Sequence, residues 1–176
     1  MDTTVTYKPP LTERINVRMI LFTIVMLLLI GYPTYYYLDI ALTGGVKDLG
    51  NGYKQVDLRA MSTFPFDQNN GTLTDVPEQW RALDDQKVVL YGEMWNGTSA
   101  GDKLATFELV YSIATCCLSG PPQIQHFVHS KVADNGMADY YSGQVKVTGT
   151  LNVEVKREAG KVVSVYQLTV ESIEPA

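Results

Sequence analysis

The sequence predicts one transmembrane helix followed by a mainly β domain folded as a five-stranded Greek-key barrel. Three observations carry that expectation. Met19–Leu38 is a twenty-residue run without a charge, ten of its positions Leu, Ile, Val or Phe. Beyond it, several segments alternate apolar and polar residues with the two-residue period of a half-buried strand. Four Asn-Gly pairs, beginning at Asn51, Asn70, Asn96 and Asn135, punctuate those segments as turns.

As a helix, Met19–Leu38 reaches about 30 Å, the thickness of a bilayer's hydrocarbon core. Its ten strongly apolar residues supply at most about −3 to −6 kcal/mol toward insertion. Lys8, Arg14 and Arg18 precede it and Asp39 follows. The positive-inside bias therefore leaves residues 1–18 as a cytoplasmic tail and places everything after Leu38 outside the cytoplasm. Tyr32, Tyr35, Tyr36 and Tyr37 cluster at the exit, where amphipathic rings favour the headgroup zone of the lipid bilayer. Pro33 lacks an amide donor and clashes with the carbonyl four residues back, which predicts a bend or stop there. A cleaved signal peptide is the alternative, although Ala41-Leu42-Thr43 fits a small-x-small cleavage site poorly.

The expected organisation is a tail over 1–18, a span over 19–38, a linker over 39–50 and an extracytoplasmic β-barrel domain over 51–176. A domain of that size buries a core without staples. The chain carries a net charge of −5; the part after Leu38 holds eleven basic and seventeen acidic residues, or −6. Such a surface does not gather on phosphate backbones, so nucleic acid is not an expected partner.

Element by element, Tyr53–Met61 alternates and reads as a strand. Asp75 through Leu83 reads as a short helix, with Asp75 as cap, Pro77 in the first turn, and Trp80 and Leu83 on a shared face that braces the sheet. Lys87–Trp95, Leu104–Ile113, Ile124–Val132, Gln144–Lys156 and Val162–Ile173 supply five strands. The fourth is the cleanest: Val145, Val147, Gly149, Leu151, Val153 and Val155 oppose Lys146, Thr148, Thr150, Asn152, Glu154 and Lys156. Gly149 is placed where a strand bends around a barrel corner, and Ala159-Gly160 is the turn into the last strand. Five strands with a long final hairpin and one short helix define a barrel of OB type, with a β-sandwich as the alternative.

Cys116 and Cys117 are the only cysteines, and His126 and His129 the only histidines. Together they spell C-C-x8-H-x2-H, a spacing that suggests zinc or copper. Adjacent cysteines lie about 3.8 Å apart at Cα, too close for an unstrained disulfide. Histidines three apart on a strand face opposite ways. The candidate metal set is thus Cys116, Cys117 and His126, weighed against two small buried thiols. G-x-S-x-G, H-E-x-x-H, the P-loop, G-x-G-x-x-G and C-x-x-C are all missing, and Asp84-Asp85 reads as a solvated turn. The expectation is a protein that is not an enzyme and holds no resident cofactor.

Val76-Pro77-Glu78-Gln79-Trp80-Arg81-Ala82-Leu83-Asp84, Lys87 through Met94, Phe107-Glu108-Leu109-Val110, Cys116-Cys117 with Gly120-Pro121-Pro122, Val145 through Leu151 and Tyr166 through Val170 together carry a resemblance. They resemble an uncharacterised family of bacterial envelope domains of unknown function, small exported or membrane-tethered β-barrels. That resemblance implies a single-pass protein of the bacterial inner membrane with a periplasmic domain. It also implies an accessory role in an envelope transport assembly, with another membrane protein as partner. The architecture is also similar to periplasmic haem chaperones, whose haem-attaching His is followed four residues later by Tyr. Here Ala133 follows His129 and Ser130 follows His126 at that distance. A metal-, haem- or thiol-handling module built on Cys116, Cys117 and His126 is the alternative function.

Overall fold

The computed structural model describes residues 17–95, 103–114 and 122–176, with side chains omitted at 39–41. The chain divides into two compact units between Leu42 and Thr43.

The first is a single helix, α1 (Val17–Thr43). It continues through Pro33, where the sequence predicts a bend or stop; losing one backbone hydrogen bond is a local defect in an otherwise unbroken ladder. Two of its threonines are satisfied within the helix: Thr23 Oγ1 donates to the Met19 carbonyl at 2.8 Å and Thr34 Oγ1 to that of Ile30 at 2.6 Å. None of the apolar window Val17–Leu38 is buried within the structure. That is compatible with a membrane anchor or a signal sequence.

The second unit is mainly β. Its elements are β1 (Val46–Asp48), β2 (Lys54–Val56), α2 (Leu58–Ser62), α3 (Glu78–Arg81), β3 (Gln86–Trp95), β4 (Lys103–Leu104), β5 (Thr106–Val110), β6 (Val128–Val132), β7 (Ala138–Asp139), β8 (Gln144–Glu158) and β9 (Lys161–Pro175). β1 therefore falls inside the stretch expected as a linker. β3 pairs antiparallel with β5 and β8, β5 antiparallel with β6, β6 parallel with β9, and β9 antiparallel with β8. Followed in order β3–β5–β6–β9–β8, the pairings return to β3. β2 lies parallel on β3 through Lys54↔Val88 to Val56↔Leu90, with β1 at its edge.

β8 follows its predicted alternation, with Val145, Val147, Leu151 and Val153 at 3 % exposure or less. The β8–β9 ladder shifts register at Thr148/Gly149 and again after Val153. At the second shift, Asp84 Oδ1 accepts the Val153 amide at 2.8 Å and Gln167 Nε2 donates to the Glu154 carbonyl at 3.2 Å. Side chains thus satisfy backbone groups near the irregular stretch of ladder. Asp84 is a structural acceptor rather than only a solvated turn acid.

Four other segments differ from the sequence reading. Leu104–Ile113 is divided at Ala105, with β4 ending at Leu104 and β5 running only from Thr106 to Val110. Tyr53–Met61 is a strand only through Val56, because the Asp57 carboxylate accepts the amides of Arg59 and Ala60 and starts α2. Asp75 does not cap α3. Its carboxylate accepts the Thr72 amide at 2.7 Å, closing a capping box on the 3-10 turn Leu73–Asp75, and Pro77 occupies the cap position of α3. Ile124–His126 is a 3-10 turn, so only Val128–Val132 of the predicted third strand pairs.

That turn is fixed by amides. Buried Gln125 donates to the Phe64 carbonyl at 3.0 Å and accepts from Gln68 at 3.0 Å, while Gln68 Oε1 accepts the Ile124 amide at 2.9 Å. Val76, Trp80 and Leu83, each 2 % exposed or less, enter the core beside Met61, Leu90 and Tyr166. The Tyr166 hydroxyl donates to the Met61 carbonyl at 3.2 Å, and burial pushes its pKa above the usual tyrosine range.

Candidate functional site

Strand register assembles a polar face opposite the core. Trp95 pairs with Glu108, Glu108 with His129, His129 with Gln167 and Gln167 with Asn152, forming one row across five strands. The next row runs Thr106, Lys131, Thr169, Thr150 and Lys87. The residues between them on β5, β6 and β9 (Phe107, Ser130 and Leu168) are buried, so period 2 sends these rows to the other side.

Within the first row, His129 Nδ1 and Glu108 Oε1 are 2.6 Å apart, at 48 % and 33 % side-chain exposure. The carboxylate fixes the ring through one nitrogen and leaves Nε2 for a partner. Trp95, 40 % exposed, brings an aromatic plane to the same row. A cleft lined by Pro122, Ile124, Phe127, Val163 and Ser164 opens beside Glu108. Among the described residues no hydroxyl or thiol is hydrogen-bonded to His129 Nε2.

At the far end of the second row, Tyr53 donates its hydroxyl to Glu171 Oε2 at 2.8 Å, and Lys87 Nζ stands 3.1 Å from Glu171 Oε1 and 5.3 Å from the Tyr53 ring centre. The Tyr53 hydrogen bond and Lys87 hold Glu171 below the usual carboxylate pKa, and Glu171 and Tyr53 hold Lys87 above the usual lysine value. The cluster joins the segment entering β2 to β3 and β9, at the modest strength of surface ion pairs.

The sequence-predicted sites distribute differently. Cys116 and Cys117 lie outside the described residues. His126 and His129 are not brought together as a pair: His126 closes the 3-10 turn and His129 stands on the polar face. Among the described residues no group of three His, Cys, Asp or Glu is arranged to hold a metal. His126 Nδ1 is buried without a hydrogen-bond partner there, and desolvation lowers its pKa. Tyr32, Tyr35 and Tyr37 project from α1 at 68–76 % exposure and Tyr36 at 38 %, with the rings of Tyr36 and Tyr37 packed edge to face at 6.0 Å.

The lowered His126 pKa has a definite sign in stability. Below about pH 6.5 the unfolded imidazole takes a proton that the folded one refuses. The contribution is therefore complete above that value and declines as pH falls toward the folded pKa. Urea midpoints between about pH 7.5 and about pH 5.5 should drop more in the native sequence than in His126→Leu. Equal drops would mean that His126 is not the group responsible.

The polar face was not legible beforehand, since its rows join residues as distant as Trp95 and Gln167. The available signal was the paired polar alternation of Glu108 and His129 within their own strands. Neither a protein-family model nor a curated protein sequence matches this chain. It is similar to the crystal structure of a DUF3299 family protein from Pseudomonas aeruginosa PAO1, at 21% identity over 68% of this chain and 78% of that one, with a TM-score of 0.44.

Proposed function

We propose that the chain is a membrane-anchored, extracytoplasmic binding protein, an accessory part of an envelope assembly related to transport. Its folded unit is read as an OB-type barrel, a reading supported by the circuit β3–β5–β6–β9–β8 with its one parallel pairing, β6 on β9. The observation that carries the functional reading is the charge-free run Met19–Leu38 within α1, exposed along the whole apolar window of that helix, which is followed within three residues by β1. An anchored domain meets a neighbouring membrane protein at high effective concentration, so even a weak contact is occupied. The Trp95–Glu108–His129–Lys131 face offers an indole, a carboxylate, an imidazole and an ammonium for that contact, and binding rather than catalysis suits it. Extraction in mild detergent tests this. A membrane protein should co-purify in a fixed ratio with the native chain and be lost from a Trp95→Ala, Lys131→Ala double variant that still folds. Purification without any stoichiometric partner, or an unchanged complex in the double variant, would overturn the reading.

A further inference from the structure

Three Asn-Gly pairs lie among the described residues, and they differ in what restrains the glycine amide. The Gly71 amide donates to the Asp67 carbonyl at 2.9 Å, and that of Gly136 to the Ala133 carbonyl at 2.9 Å. Both are also hemmed in: a Cβ would lie 2.5 Å from Asp67 O at Gly71 and 3.1 Å from Ala133 O at Gly136. Gly52 differs on each count. Its amide has no hydrogen bond among the described residues, its φ is +83°, and nothing lies within 4 Å of where a Cβ would stand. Its neighbour is poised as well. Asn51 Oδ1 accepts the Tyr53 amide at 3.2 Å, a donor placed on the oxygen where negative charge develops when Cγ is attacked.

We propose that Asn51 is a site of spontaneous covalent modification, through succinimide formation with Gly52 and hydrolysis to aspartate and isoaspartate. The Gly52 nitrogen, deprotonated by solvent base, attacks Asn51 Cγ. The N–Cγ bond forms, the Cγ–Nδ2 bond breaks, and Nδ2 leaves as ammonia after taking a proton from water. Water then opens the ring at either carbonyl. One opening gives aspartate; the other routes the main chain through the former side chain and gives isoaspartate. No electrons are transferred and no co-reactant beyond water is consumed.

The product changes the turn that carries the cluster on the polar face. Leu49 N donates to Tyr53 O at 3.0 Å across this turn, and Tyr53 holds Glu171. Isoaspartate lengthens the backbone inside the turn by one methylene and adds a negative charge, loosening Tyr53 from Glu171 and Lys87.

The test follows the full chain in detergent micelles, held at mildly alkaline pH and sampled by peptide mapping with mass spectrometry. Asn51 should convert roughly two- to tenfold faster than Asn70 or Asn135, the factor set by first opening one backbone hydrogen bond at the latter two. In urea the three rates should converge, which separates local structure from sequence context. Asn51→Gln should abolish conversion there and leave the other two rates unchanged. Native-state conversion of Asn70 or Asn135 as fast as Asn51, or the same order persisting in urea, would overturn the proposal.

Discussion

Replacing Trp80 with alanine is expected to cost about 3–5 kcal/mol of stability, a large share of the ~5–15 kcal/mol that holds an ordinary domain together. The indole is 2 % exposed and belongs to the same core cluster as Val76, Leu83, Met61 and Tyr166. A Cβ on Gly45 would lie 3.0 Å from its ring, so the backbone entering β1 is already packed against it. α3 is a helix of four residues, too short to persist alone, and its place depends on this one buried side chain. Trp80→Phe should recover much of the loss, and Trp95→Ala should stay within about 0.5 kcal/mol because Trp95 is a surface residue. Urea unfolding followed by circular dichroism measures all three. A Trp80→Ala loss no greater than that of Trp95→Ala would show that α3 does not brace the sheet.

Gly149→Val is expected to cost about 3 kcal/mol, at the upper end of the range for forcing atoms into a filled interior. Even the first added carbon would lie 2.2 Å from the Thr169 carbonyl oxygen and 3.1 Å from Val170 Cα. Both neighbours are backbone, so the clash is relieved only by separating β8 from β9. That ladder is the longest among the described residues, and it already shifts register at Thr148/Gly149. Gly149→Ala should cost somewhat less, and Lys156→Ala on the same strand should stay within about 0.5 kcal/mol. Denaturant midpoints read the difference; a neutral Gly149→Val would mean that β8 and β9 do not approach closely at this position.

What the sequence disclosed followed from how local each signal is. α1 was legible because a charge-free run of that length has few other fates in water. β8 was legible because Val145, Val147, Leu151 and Val153 alternate without interruption; Gly149, read as a bend at a barrel corner, falls at a register shift. The turn was equally plain, with Ala159 at φ +48° and Gly160 at +83° joining Glu158 to its partner Lys161. α2 was obscured because Val56, Leu58 and Ala60 fit a strand's alternation while Leu58 and Met61 fit one helical turn, and the Asp57 cap decided between them. The third strand read too long because a buried amide network, and not apolar period, holds Ile124–His126. The polar face needed the parallel register of β6 on β9, which no local pattern encodes.

In the proposed arrangement α1 carries the folded unit to the far side of a membrane. Fusions at Ala176 to alkaline phosphatase and to green fluorescent protein test that directly, because the first is active only after export and the second only when left in the cytosol. An active phosphatase, a dark fluorescent fusion and full recovery of the chain in the membrane fraction are expected of this arrangement. A fluorescent fusion with inactive phosphatase, or the intact chain recovered free of membrane, would contradict it.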